Sequence, residues 1–325
     1  MQETASAAVI IPTHNRIQLL RKVLDSILAQ TVKSEIFVMD DASSDGTGEI
    51  VLRDYPQVRY FREDKGKGPT FQRNKASRLT TADVLFTIDD DCVLVSPNTM
   101  QQTLQAFNHP RVAAVTLPFI NILQDKTVHT AYADPAKIMV TYDYFGGMVA
   151  IRRDLYEAVG GYRSYMFIQI EEPDLSIRLL DAGYVVRLGW ADPLEHMESP
   201  LRDHTQRDRQ GPRNLVLFSY YNVPWPIFPL HLAGTTLLCL RHGLQTGHID
   251  RVVRGLWQGY SGIFHELGKR KSVKQKTYHL TRMLRKVGSM PLTELETHLP
   301  SMREFAVETA QNAPSASARN QTMAG

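Results

Sequence analysis

The chain has 325 residues, 43% hydrophobic and 22% charged, with a formal net charge of +3. That length suffices for one large domain with an appendage, or two small ones, of ordinary globular composition. Its two cysteines, Cys92 and Cys239, exclude a disulfide framework and show no metal-binding spacing, so a reducing compartment is expected.

The start, MQETASAAVIIPTHN, has no basic stretch before its short apolar run, and no secretory signal is expected. From there strand and helix patterns alternate. AAVIIPTH reads as a buried strand, and RIQLLRKVLDSILAQT as a helix with Ile17, Leu20, Val23, Leu24, Ile27 and Leu28 at helical spacing. EIFVMDDAS, VRYFRED and DVLFTIDD read as further strands, separated by the helices DGTGEIVLRDY and TFQRNKASRLT. NTMQQTLQAFNH is a helix, and VAAVTLPFI is expected as one fifth strand. This alternation predicts a mostly parallel, Rossmann-like α/β sheet flanked by helices, with ligands bound beyond the carboxyl ends of its strands. Later, GGMVAIRRDLYEAVGGY gives a strand and a helix, and EEPDLSIRLLDAGYVVRLG a helix and a strand.

Polar clusters fall where the sheet predicts ligands. Along an extended strand end Asp89 and Asp91 share a face while Asp90 points elsewhere. Two converging carboxylates are best relieved by a hard divalent cation, Mg²⁺ or Mn²⁺. The simpler alternative is that these acids cap the helix starting near Ser96. Asp40-Asp41 reads either as a turn before an N-cap at Ser44 or Asp45, or as an acid that binds a nucleoside. Glu171, Glu172 and Asp174 open a helix, where acids favour the helix dipole or supply a general base. His196 alone reads as an ordinary surface histidine.

Together, VIIPTHNR, MDDASSDGT, QRNKASRLTTADVLFTIDDD, GGMVAIRRDLYEAVGGY, EEPDLSIRLLDAGY and His196 resemble, in order and spacing, the motifs of family 2 glycosyltransferases with the GT-A fold. The resemblance runs from about Ala7 to Leu217. It implies an inverting transfer of a sugar from a nucleotide sugar, UDP- or dTDP-linked, to a glycan or lipid-linked acceptor in cell-surface polysaccharide or glycolipid synthesis. Pro12, Thr13, Asn15, Arg16 and Asp41 would contact the nucleoside. Arg73, Asp89 and Asp90 would line the donor pocket, and Asp89 and Asp91 would form the DxD pair around the metal, with His196 as a further metal or diphosphate contact. Glu172 stands where the family usually has a catalytic aspartate, which leaves Asp174 and Glu171 as alternative bases. Ala76 replaces a usual glycine, a packing change. The other functions weighed are a nucleotidyltransferase, which lacks its expected Gly-rich basic loop after the first strand, and a non-catalytic nucleotide-sugar binder.

The catalytic domain is expected over 1–217, its donor half to about 120 and its acceptor half from 121. An apolar, then basic helical extension is expected over 218–290, and a short helix with a disordered tail over 291–325. Asn214 to Leu240 lacks any charged side chain, but Pro224, Pro226 and Pro229 argue against a regular membrane span and for a kinked, interfacial or buried segment. Between Arg241 and Met290 stand 11 Lys/Arg against 2 Asp/Glu. That arm reads as an amphipathic hairpin packed on the domain or as a helix on an anionic membrane surface. Nucleic-acid binding is disfavoured, since no recognised module accompanies the charge. The expected place is cytoplasmic, peripheral at the inner face of the cell membrane. Oligomeric state is not legible.

Overall fold

The computed structural model describes residues 5–132, 134–198 and 205–305. The first part runs β1 (Ala7–Thr13), α1 (Ile17–Leu28), β2 (Ser34–Asp40), α2 (Thr47–Asp54), β3 (Arg59–Arg62), α3 (Pro69–Ser77) and β4 (Val84–Ile88). Then come β5 (Cys92–Val93), α4 (Thr99–Gln105), β6 (Val112–Thr116), β7 (Phe119–Asn121), β8 (Val128–His129) and β9 (Met139–Thr141). They are followed by β10 (Met148–Arg152), α5 (Arg153–Ala158), α6 (Glu171–Asp181), β11 (Val185–Arg187) and β12 (Leu194–His196). The chain closes with α7 (Thr205–Asn222), α8 (Ile227–Thr246), α9 (Ile249–His265), α10 (Gln275–Val287), β13 (Ser289–Pro291) and α11 (Leu292–Leu295).

The continuous apolar runs of β1 and β4 become central strands buried on both faces. Ile17, Leu20, Val23, Leu24 and Ile27 of α1 pack beneath them. The large sheet has nine strands in the order β13-β9-β11-β6-β10-β4-β1-β2-β3. It is parallel from β3 to β4, and again between β6 and β11. In contrast, β10 runs antiparallel to both its neighbours, as do β9 and β13 to theirs. A two-face-buried apolar run fits either direction, so its pattern carries no direction.

VAAVTLPFI is not one strand. Pro118 has no N–H to continue a ladder, and β7 leaves for a second sheet, ordered β5-β12-β7-β8. In that sheet His196 pairs with Cys92 on one side and Asn121 on the other. The small sheet thereby brings β12 against the chain just after the acid triplet.

The uncharged segment breaks at its prolines: α7 ends at Asn222, Trp225–Pro226 is cis, and α8 starts at Ile227. Among the described residues no helix is long and apolar enough to cross a membrane. The basic arm forms α9 and α10. α7 runs through residue 217, and β13 completes the edge of the large sheet beside β9. Most of the expected disordered tail, from residue 306, lies outside the described residues.

Candidate active site

The acid triplet does not continue β4. Cys92 N–H donates to the Asp89 carbonyl (3.1 Å), closing a turn centred on Asp90 and Asp91. The alternation that would put Asp89 and Asp91 on one face therefore does not apply. Asp89 accepts from Arg73 Nη2 at 2.7 Å. Asp90 is buried and accepts from Thr13 Oγ1 (2.8 Å) and Arg16 Nη1 (3.0 Å). The same Arg16 nitrogen reaches Asp91 at 2.9 Å, and His196 Nε2 lies 3.5 Å from the other Asp91 oxygen. Burial raises the Asp90 carboxyl to about 6, with Asp91 adding to the rise and Arg16 opposing it. Thus a cation already balances two of the three acids, and it comes from the segment Pro12–Arg16. Gly147 is required beside this turn: a Cβ there would stand 2.0 Å from the Asp89 carboxyl carbon.

On the side expected to meet a nucleoside, Pro12 and Thr13 end β1, and Asn15 takes a left-handed conformation (φ 53°). Asn15 Oδ1 accepts from Ser44 N (2.7 Å), tying that loop to the end of β2. The Asp41 carboxylate accepts from the backbone N–H groups of Lys67 (2.8 Å) and Gly68 (2.9 Å) and from Gln72 Nε2 (2.7 Å). It clamps the loop that leads into α3. Asp45, one of the two expected caps, accepts from the first N–H of both α1 (Ile17, 3.1 Å) and α2 (Thr47, 3.2 Å).

The three acids of α6 separate clearly. The chain enters α6 through Phe167, Gln169 and Ile170, all at positive φ (61°, 72° and 67°). Asn214 of α7 holds that entry by donating to the carbonyls of Met166 (2.7 Å), Ile168 (2.8 Å) and Gln169 (2.8 Å). Glu172 accepts from Gly146 N–H at 3.1 Å. A Cβ on Gly146 would meet Arg73 Nη1 at 2.8 Å and Glu172 Oε1 at 3.1 Å, so Arg73 and Glu172 close on one point of backbone. Arg73 thereby links the Asp89 side of the crevice to the Glu172 side. Burial raises the carboxyls of both Glu171 and Glu172 above the usual range. Glu171 is nearly fully buried, and its Oε2 meets no hydrogen-bond partner among the described residues.

Asp174 corrects one expectation. It has 0% exposure and accepts from Arg163 Nε (3.1 Å), Arg178 Nη2 (2.6 Å) and Asn222 Nδ2 (2.7 Å). These partners outweigh burial and hold its carboxyl below the usual range. With every lone pair engaged and no face toward the crevice, it is an anchor joining α6 to α7, not a base. Asp174→Ala should lower unfolding stability by about 3–5 kcal/mol, because it leaves buried cations unpaired. Chemical denaturation checks this; a loss within about 0.5 kcal/mol, the surface range, would contradict it.

Asp91, Cys92 and His196 can bring one ligand atom each to within 4.8 Å of one another. A carboxylate and an imidazole suit Mn²⁺ or Mg²⁺ better than a thiol does. Burial raises the Cys92 thiol well above its usual value. Asp91 and His196 therefore fit a divalent cation, with the partly exposed Asp89 at the same turn. Asn121 was not legible in the sequence, although it orients His196 through Nδ1 at 2.5 Å.

Residues 8–167 match the family model Glycosyl transferase family 2. This segment is similar to family 2 glycosyltransferase domains. It contains the acid triplet, Arg73 and Gly146–Gly147 but stops before Glu172 and His196. The chain is similar to a probable glycosyltransferase, YdaM, of Bacillus subtilis, at 27% identity over 58% of this chain and 49% of that protein. It is also similar to a validoxylamine A glucosyltransferase of Streptomyces hygroscopicus subsp. jinggangensis, at 37% over 34% of this chain and 27% of that one. The chain thus spans half or less of the length of these curated relatives. Among solved structures, it is similar to the mannosyltransferase PcManGT from Pyrobaculum calidifontis in complex with GDP-Man and Mn²⁺. That likeness has a TM-score of 0.53 at 19% identity, over 87% of this chain and 85% of that one. The fold is of the GT-A type.

Proposed function

We propose that the chain is an inverting, metal-dependent glycosyltransferase that moves a sugar from a nucleotide-diphosphate sugar to an acceptor hydroxyl in cell-surface polysaccharide or glycolipid synthesis. The observation that carries this reading is the Arg73 link: it salt-bridges Asp89 of the acid turn and closes with Glu172 on Gly146. Donor site and base are thereby held on one rigid support, as a single displacement needs. Glu172 takes the proton of the acceptor hydroxyl while that oxygen bonds the anomeric carbon and the bond to the diphosphate breaks. Its raised carboxyl makes it a stronger base than an exposed glutamate. A divalent ion held by Asp89, Asp91 and His196 would neutralise charge on the departing diphosphate. Pro12, Thr13, Asn15 and Asp41 frame the nucleoside end, and Arg16 shares its charge between Asp90 and Asp91 until that ion binds.

A thermal-shift screen with UDP, dTDP and GDP, each with Mn²⁺ or Mg²⁺, tests donor binding. A nucleotide at a hundredfold its dissociation constant should raise Tm by about 4 °C. No shift with any nucleotide would contradict the reading.

The same reading places the protein on the inner membrane surface. Val253, Trp257, Phe264 and Leu267 form one exposed stripe along and just past α9, Trp257 and Phe264 being 75% and 74% exposed. Leu237 and Leu244 are exposed on the neighbouring α8. The same arm is rich in Lys and Arg, the combination that binds anionic lipid. The protein should float with phosphatidylserine vesicles, and the double change Trp257→Glu, Phe264→Glu should abolish this without loss of folding. Equal flotation of the variant would contradict the surface assignment.

A further inference from the structure

A groove enclosing about 1010 Å³ lies between α7, α8 and α10, away from the acid turn. Its walls are apolar: Leu215 and Phe218 from α7, Ile227, Leu230 and Leu238 from α8. Leu230 and Leu238 are 80% and 69% exposed, an arrangement water disfavours and an apolar ligand would relieve. Its charged lining is one-sided. Arg207, Arg282, Arg285 and Lys286 face it against one acid, Asp208, already paired with Arg251 at 2.8 Å. His231 adds no charge: burial and then Arg282 and Arg285 pull its imidazole down to about 4, and its Nδ1 meets the Tyr278 hydroxyl at 2.8 Å.

The groove also reaches the catalytic helix. Gln169, three residues before Glu172, forms part of its wall, and Gly211 of α7 packs against the Gln169 side chain. Arg285 lies over the Tyr142 ring (5.9 Å), whose hydroxyl donates to the Pro173 carbonyl (3.0 Å). The cationic end of the groove is thus beside the first turn of α6.

We propose that this groove binds an anionic amphiphile, a single apolar chain carrying a phosphate head, with the chain between α7 and α8 and the head at Arg282, Arg285 and Lys286. As the acceptor class of the enzyme, this rests on the transferase reading above; as a binding site it does not. The apolar walls take the chain, and the basic end takes the head, with Arg285 over Tyr142 and Tyr142 bonded to Pro173 in the first turn of α6.

The test is calorimetric titration of the full chain with dodecyl phosphate below its micelle concentration, beside dodecyl maltoside and inorganic phosphate. Dodecyl phosphate should bind at least tenfold more tightly than either. Leu238→Glu, at an exposed wall position, should weaken it at least tenfold. The double change Arg282→Glu, Arg285→Glu should do the same and leave maltoside binding unaltered. Equal affinity for the neutral amphiphile, equal affinity for inorganic phosphate, or unchanged affinity in both variants would each overturn the site. Because the nucleotide-induced thermal shift is read separately, its absence would count against the transferase reading and not against the groove.

Discussion

Glu172→Gln should slow sugar transfer by about 10²–10⁴-fold, the usual contribution of a positioned general base. The amide keeps the size of the side chain and its acceptor oxygen for Gly146 N–H, so folding and nucleotide binding should persist. The reading is therefore a fall in kcat with the nucleotide-induced Tm shift retained. Wild-type activity should also have an acidic limb set by the same carboxyl. Burial raises its pKa above the usual glutamate value, the reactive form is deprotonated, and so the rate should rise with pH through that raised value. The limb should vanish in the variant. Transfer at near wild-type rate in Glu172→Gln would move the role to Glu171, the other raised acid of α6.

Asp91→Ala should abolish the Mn²⁺-dependent part of turnover, a fall of about 10²–10³-fold if charge on the leaving diphosphate is left uncompensated. Asp91 is the acid that meets both Arg16 and His196, so its loss removes that side-chain contact while the backbone pairing of His196 with Cys92 remains. Arg16 retains Asp90 as a partner, and the fold should survive. The Tm rise produced by Mn²⁺ in wild type should be absent from the variant. If the variant kept both the Mn²⁺ response and turnover, the metal would belong elsewhere.

What was legible in the sequence was whatever local pattern fixes. The helix α1 and the strands β1, β2 and β4 follow from apolar spacing, and the prolines of 224–229 mark the break between α7 and α8 where one long apolar segment was read. Strand direction was not legible, because the run MVAIR in β10 is buried on both faces and would look the same either way. Nor was the departure of β7 to a second sheet, although Pro118 marks the place. At the site, the pairing of the side chains was not legible. Nothing in the sequence shows that Arg16 bridges Asp90 and Asp91. Asp174 resembled its neighbours Glu171 and Glu172 in one dimension, while in three it meets Arg163, Arg178 and Asn222. Asn121 reaches His196 only through the register of β7 against β12, 75 positions apart in the chain. In the sequence the Gly146-Gly147 pair only opens a strand pattern. Its function is close approach: backbone passes where the Asp89, Arg73 and Glu172 side chains leave no room for a Cβ.

The central claim is that the acid turn and Glu172 serve transfer from a nucleotide sugar. Release of nucleoside diphosphate from UDP-, dTDP- and GDP-sugars in the presence of Mn²⁺, without added acceptor, tests it most directly. At least one donor should give slow release that stops on chelation and is lost in Asp91→Ala. Release unaffected by chelation, or none from any donor, would contradict the account.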